Sequence, residues 1–273
     1  MKYQVKPFLK RAFSPKIASI AAQMSYYWTL AFIPAMIFLI SVTTKLYLPV
    51  DSLFPFLQAA MPESAYNIVF SAIEEVLSSQ ISLGTLVLAL WFLVSGMNAF
   101  ILGLATSYPD TNHRRPVKVI VLAFIFAFIF IAIIVVAILL IVFGQHLTEL
   151  LARLLPVGIN LLTAGRIVGY FIVFLMMVLT FSLLYRFAPN IKLRLKDVFW
   201  GALFSATGWI IATLLFRFYV DNFGRYGVIF GSLGGIFVFL LWLYILIFIM
   251  LVGNEINVSY YLQKYKPQDW ADT

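Results

Sequence analysis

A lone carboxylate follows a long uncharged stretch of this chain. Residues 229–252 contain no charged side chain, and Glu255 comes just after them between Asn254 and Asn257. An acid inside a bilayer is costly and is usually functional, so Glu255 is a candidate gating or proton-coupling group. Alternatively, a helix that enters the bilayer at the start of this stretch reaches Glu255 after roughly 39 Å, beyond a hydrocarbon core of ~30 Å. Glu255 would then be an anchor at the headgroups, where Arg186 could pair with it.

A second polar group lies in the first apolar stretch, around a proline. Proline removes a backbone donor and clashes with the preceding turn, so it should kink the helix and free a carbonyl. A broken helix with nearby hydroxyls can line a substrate path, while a packing kink within a belt of interfacial aromatic residues is the structural alternative. The candidate path residues are Gln23, Ser25, Tyr26, Tyr27, Pro34, Asn98, Asn254, Glu255 and Asn257.

Glycines at a spacing of four predict close helix packing. Gly227, Gly231 and Gly235 form two successive steps, and Gly165 with Gly169 forms another. In lipid, such small residues let a second helix approach closely. A hinge at the first three glycines is the alternative interpretation.

Basic and acidic residues near the end of the fifth apolar stretch form an ion-pair motif. Arg217 and Asp221 are four residues apart, and Arg225 follows. An intrahelical ion pair at the membrane interface is the simple interpretation. An entry site for an anionic group, with the arginines as donors, is the alternative.

Constellations typical of soluble enzymes are absent from the sequence. There is no cysteine, and the two histidines, His113 and His146, fall on opposite sides of the membrane in the predicted topology. Neither a P-loop nor a dinucleotide-binding fingerprint occurs. We therefore predict no catalytic residue, no metal site and no cofactor.

These residues belong to a chain that water cannot solvate. It is 63% hydrophobic and 11% charged, with a mean hydropathy of +0.99, whereas soluble domains are about 25% charged. The predicted class is an all-α polytopic membrane protein with about six transmembrane helices. Stretches of bilayer length lie near residues 18–43, 83–106, 117–143, 167–186, 198–216 and 229–252.

The basic residues predict the orientation of these spans. Of the 19 Lys and Arg residues, 14 fall on the side of both termini, so both termini are predicted to be cytoplasmic. A basic arm (1–17) precedes one transmembrane domain (18–258), and a tail (259–273) follows it. Within that domain, the loop 45–81 has apolar residues at helical spacing opposite two glutamates. This pattern predicts an amphipathic helix on the outer surface, either a cap on the bundle or a lid.

Five stretches match motifs of a known family: SYYWTLAFIP, LWFLVSGMNA, LLYRFAPN, FYVDNFGRYGVIFGSLGG and LVGNEIN. Through them the chain resembles the BrkB/YihY family, which implies six spans in a bacterial inner membrane and gives no residue a catalytic role. The stretch 103–105 and the charged residues Arg217, Asp221 and Arg225 depart from the family pattern. The matching positions are Pro34, Trp91, Tyr185, Arg186, Pro189, Gly201, Tyr219, Asn222, Tyr226, Gly231, Gly234, Trp242, Gly253, Glu255 and Asn257.

The resemblance brings an older label, ribonuclease, and a newer interpretation as a transporter. RNA cleavage needs an acid–base pair or a cluster of metal-binding carboxylates, and the acids predicted on the cytoplasmic side are scattered, so we expect no enzyme and no nucleic-acid partner. We predict a secondary-type transporter, or a permease for a lipid or small molecule, with no ATPase of its own. Membrane lipids are the expected partners, and a homo-oligomer is left open. The alternative is a non-transporting scaffold that recruits envelope-assembly partners.

Overall fold

The computed structural model describes residues 5–45, 54, 57, 58, 61, 63–78, 83–108, 115–154, 161–223 and 233–265. Most of these residues are helical, and none of them is in a strand. The predicted all-α class is therefore confirmed. The helices of eight or more residues in these ranges are α1 (Val5–Ala12), α2 (Pro15–Lys45), α3 (Glu63–Ser78), α4 (Leu83–Ala105), α5 (Pro116–Leu154), α6 (Leu161–Phe187), α7 (Leu195–Phe223) and α8 (Leu233–Tyr265).

Five helices contain segments long and apolar enough to cross a bilayer, which confirms a multi-pass membrane protein. Helix α2 is not among the five, although its 31 residues span roughly 46 Å. Its role as the sixth span stays a prediction. The five segments are Gly84–Ala105, Pro116–Ile133, Ile167–Phe187, Leu195–Val220 and Gly234–Tyr265.

The long helices form a ring in chain order. Helix α2 packs against α4, and each following helix packs against the next, until α8 returns to α2. Because the spans alternate in direction, α1 and the final turns of α8 lie at the same end of the ring. We call this end the terminal end and the opposite one the distal end.

Helix α3 covers part of the distal end, as the amphipathic pattern predicts. Val69 and Ile73 are buried, whereas Glu74 and Glu75 are exposed. The helix packs against α2, α7 and α8. Its apolar face therefore rests on the bundle, which agrees with a cap.

The two halves of α6 are packed differently. From Ile167 to Met177 no residue is buried, whereas Phe181, Leu184 and Tyr185 nearer the terminal end are. Phe174 and Met177 in this segment pack against the core but are only partly buried.

The packing predictions for glycine need one correction. A methyl group added to Gly169 would meet no atom within 4 Å, so the predicted close approach at this position does not occur among the described residues. The sparse burial of residues 167–177 is the reason. Gly235 is half-buried in α8. The surroundings of Gly165, and the whole of Gly227 and Gly231, lie outside what the structure describes.

Helix α8 extends beyond the predicted domain boundary at residue 258. It continues to Tyr265, because Val258 and Leu262 are buried against the rest of the bundle. The predicted tail therefore begins as part of the last helix.

Candidate functional site

Glu255 forms an ion pair with the N-terminal helix. The Nε atom of Arg11 lies 3.0 Å from Oε2 of Glu255, and the side chains are 19% and 3% exposed, respectively. Arg186, the partner expected from the sequence, instead stacks its guanidinium over the ring of Phe187. The prediction of Arg186 as the partner is wrong, because α1 folds against α8 and brings a nearer cation to the carboxylate.

Side chains around Glu255 donate hydrogen bonds to the carbonyl groups at the end of α4. A helix leaves its last carbonyls without an internal partner, and cations near them are also favoured by the helix dipole. The donors come from three elements, so α1, α2 and α8 are all joined to the end of α4. The hydrogen bonds run from Asn254 Nδ2 to the Leu104 carbonyl (3.0 Å), from Lys16 Nζ to the Thr106 carbonyl (3.3 Å) and from Arg11 Nη2 to the Ser107 carbonyl (2.8 Å).

Tyr108, just after α4, lies in the electrostatic field of Glu255. Burial raises the pKa of the Tyr108 hydroxyl well above its usual range, and the negative charge of Glu255 raises it further. The ring packs edge-on against Tyr261, with centroids 5.8 Å apart. Tyr108 therefore keeps its proton at physiological pH.

A second polar cluster joins α6, α7 and α8. The Tyr185 hydroxyl donates to the Met250 carbonyl at 2.7 Å and lies 2.6 Å from Oγ of Ser205. Tyr185 is completely buried, so both bonds form away from water. A buried hydroxyl without partners would be costly, and these bonds fix the three helices relative to one another.

Two glycines let α7 and α8 touch backbone to backbone beside this cluster. A methyl group on Gly253 would collide with Ser205 and with the Gly201 carbonyl oxygen, and one on Gly201 would collide with the Gly253 carbonyl oxygen. The backbone N–H of Gly201 also donates to Oδ1 of Asn257 at 2.9 Å. The glycine pattern in the sequence missed this contact, because the two glycines are on different helices.

A second buried acid, Asp197, serves a structural purpose at the start of α7. Its Oδ2 accepts from the backbone N–H of Arg194 at 3.0 Å, which is the reciprocal half of a capping box. Its Oδ1 accepts from Lys264 at 2.9 Å. This pair ties α7 to the end of α8 and was not predicted from the sequence.

The polar residues of α2 do not join the cluster around Glu255. Ser25 is buried, but its hydroxyl donates to the Ala22 carbonyl of its own helix at 2.8 Å. Gln23, Tyr26 and Tyr27 are exposed, on the side of α2 opposite its buried face. The helix continues through Pro34, which is half-buried, as is Asn98 on α4.

The predicted ion-pair motif at the distal end is described only in part. Nη1 of Arg217 donates to the Gln58 carbonyl at 3.4 Å. The side chain of Asp221 and the whole of Arg225 lie outside the described residues, so their predicted roles stay predictions.

Almost the whole chain, including both polar clusters, matches one family model. That model is Virulence factor BrkB, and it covers residues 8–273. This chain belongs to the BrkB family. A relative in Bacillus subtilis (strain 168), the ribonuclease-like protein YfkH, is 33% identical over 270 residues, which is 96% of this chain and 98% of YfkH. A UPF0761 membrane protein of Aeromonas salmonicida is 40% identical over 92 residues, 32% of each chain. No solved structure matches.

Acidic side chains are kept apart in this BrkB-family protein, within the part that the structure describes. No three His, Asp or Glu side chains of that part gather into a group that could hold a metal ion. The two buried acids, Asp197 and Glu255, each face a separate basic partner. Each of these two ion pairs joins two helices, α1 with α8 and α7 with α8.

Proposed function

We propose that this protein is a gradient-driven permease for a lipid-like or envelope molecule, with the contact between Arg11 and Glu255 as the gate of its terminal end. The observation that carries the proposal is the unequal packing of the two ends. Polar contacts join α1, α2, α4 and α8 at the terminal end. Among the described residues 167–177 of α6, in contrast, none is buried.

Alternating access gives this asymmetry a physical meaning. A transporter closes one end of its path while the other is open, so contacts at the closed end must be able to break. The gate contact suits this requirement, because Arg11 comes from a short helix outside the predicted spans. That helix can move without unfolding the ring.

The scaffold alternative is favoured by a different observation. Gln23, Tyr26 and Tyr27 point away from the bundle on α2. Hydrocarbon cannot form hydrogen bonds with the Gln23 amide, so this face suits contact with a second helix, from a partner or from another copy of the chain. A scaffold would keep stable partners through mild detergent, and would tolerate loss of the gate contact.

Lipid movement in vesicles tests the permease proposal. The protein is reconstituted in phosphatidylethanolamine and phosphatidylglycerol vesicles that contain a fluorescent phosphatidylglycerol, and dithionite quenching follows its crossing. We expect protein-dependent movement. Arg11→Glu should slow it at least about tenfold, since a bias of ~1.4 kcal/mol between two states shifts their ratio by that factor.

Charge reversal and a matched ion pair provide the controls for this experiment. Arg11→Glu combined with Glu255→Arg should regain much of the lost rate. Lys264→Met breaks an ion pair of similar length elsewhere on α8 and should leave the rate within about twofold. Wild-type protein that moves neither this lipid nor a fluorescent phosphatidylethanolamine would contradict the lipid permease.

A further inference from the structure

We infer that the start of α7 binds an anionic phospholipid on the outer surface of the ring. Basic side chains next to the start of α7 hold the phosphate, and exposed aromatic rings of α7 contact the glycerol and acyl chains. The inference does not depend on the permease proposal, because the lipid binds from the surrounding bilayer and is not the transported molecule.

The connection between α6 and α7 concentrates positive charge at one surface of the bilayer. The bilayer-length segments of these two helices are separated by residues 188–194 alone. Lys192, Arg194 and Lys196 are exposed there, and we call these three residues the basic patch. Within the described part of the chain, none of the three forms an ion pair with an acid. Basic residues at a bilayer surface attract anionic headgroups, so the charge of the patch fits a lipid phosphate.

The acid beside the basic patch does not cancel its charge. Asp197 is the one acid of residues 186–204, and its side chain is 1% exposed. Its carboxylate accepts from Lys264 of α8 at 2.9 Å and from the backbone N–H of Arg194 at 3.0 Å. The ammonium group of Lys264 therefore balances Asp197, and the exposed cations keep their net positive charge.

Aromatic side chains continue the basic patch along α7 into the bilayer. Lys196, Trp200 and Phe204 are four residues apart, so they follow one another on one helix face in steps of roughly 6 Å. Trp200 is 64% and Phe204 42% exposed, whereas Ala202 and Ala206 on another face are buried. Tryptophan favours headgroup depth, where its N–H reaches polar groups. Phe204 lies one turn deeper and has no polar group, which suits an acyl chain.

A second basic pair at the terminal end lacks this aromatic continuation. Arg115 and Lys118 are exposed at the start of α5. The exposed residues one and two turns deeper on the face of Lys118 are aliphatic, namely Val121 and Ile125. Positive charge is common to both surfaces, but charge above a tryptophan distinguishes α7. The pair on α5 therefore provides a matched control.

Brominated lipids test the site, because bromine quenches tryptophan fluorescence only at short range. The protein is reconstituted in equal parts of phosphatidylcholine and phosphatidylglycerol, with bromine in the upper acyl chain of one lipid or the other. The difference in quenching between wild type and Trp200→Phe isolates lipid contact at this position. We expect phosphatidylglycerol to associate there at least about fivefold more strongly than phosphatidylcholine at low salt, and less so at high salt.

Neutral variants decide whether the basic patch causes this preference. Lys192→Gln, Arg194→Gln and Lys196→Gln together should reduce it to less than about twofold. Arg115→Gln with Lys118→Gln should leave it unchanged. All five side chains are exposed, so both sets of substitutions should leave the fold intact.

Three results would overturn the inference. The first is equal association of the two lipids with wild-type protein at the tryptophan position. The second is a preference that survives neutralisation of the basic patch, or that falls equally in the control on α5, which would show an effect of overall charge. The third is loss of the quenching on addition of glycerol 3-phosphate, which would show a site for a soluble phosphate instead of a lipid.

Discussion

Valine at Gly253 is expected to lower the free energy of unfolding by about 3 kcal/mol, the upper part of the usual range for overpacked cores. The added side chain would meet the Gly201 carbonyl oxygen, and backbone atoms cannot rotate away as a flexible side chain can. Helices α7 and α8 would have to separate, which also weakens the Tyr185 bonds to Ser205 and Met250. Thermal unfolding in detergent, followed by tryptophan fluorescence, measures the loss.

Gly169 offers a matched control for this substitution. It is also a helical glycine in a bilayer-length segment, but an added methyl group there meets no atom within 4 Å. Gly169→Val should therefore change stability by less than about 0.5 kcal/mol. Equal losses for the two variants would show that α7 and α8 do not meet at Gly201 and Gly253.

Removal of Arg11 is expected to be much more harmful than neutralisation of Glu255. Arg11→Met leaves a buried carboxylate without a cation, which costs about 3 kcal/mol at neutral pH. Glu255→Gln leaves an arginine that is already partly exposed and can extend into water, so we expect about 1 kcal/mol. The same thermal unfolding assay compares the two variants.

The ion pair between Lys264 and Asp197 provides a comparison for the Arg11 variant. Lys264→Met should also lower stability, because it removes the cation beside Asp197, whose side chain is 1% exposed. An Arg11→Met variant as stable as wild type at neutral pH would contradict a buried ion pair.

The long helices and the cap could be predicted from sequence because their signals are local. Apolar length identifies the spans, and the burial of Ile73 opposite exposed Glu74 and Glu75 follows from helical spacing. Glu255 could also be singled out as a candidate functional acid, since it follows an uncharged stretch.

The contacts of these residues could not be predicted in the same way. Arg11 and Glu255 are 244 positions apart, and no local pattern indicates that α1 folds beneath α8. The glycine spacing rule applies within one helix, so it selected Gly169 and missed the contact between Gly201 and Gly253. Which side of a helix meets a neighbour depends on the whole ring.

Access to the terminal end tests the gate most directly. Ser259 is buried one turn beyond Glu255 on α8, and Ser259→Cys would be the single thiol of the chain. A membrane-impermeant maleimide should label this cysteine at least about tenfold faster when Arg11→Gln removes the gate contact, with labelling at Lys192→Cys unchanged. Labelling of Ser259→Cys at the same rate with and without Arg11 would contradict a gate made by Arg11 and Glu255.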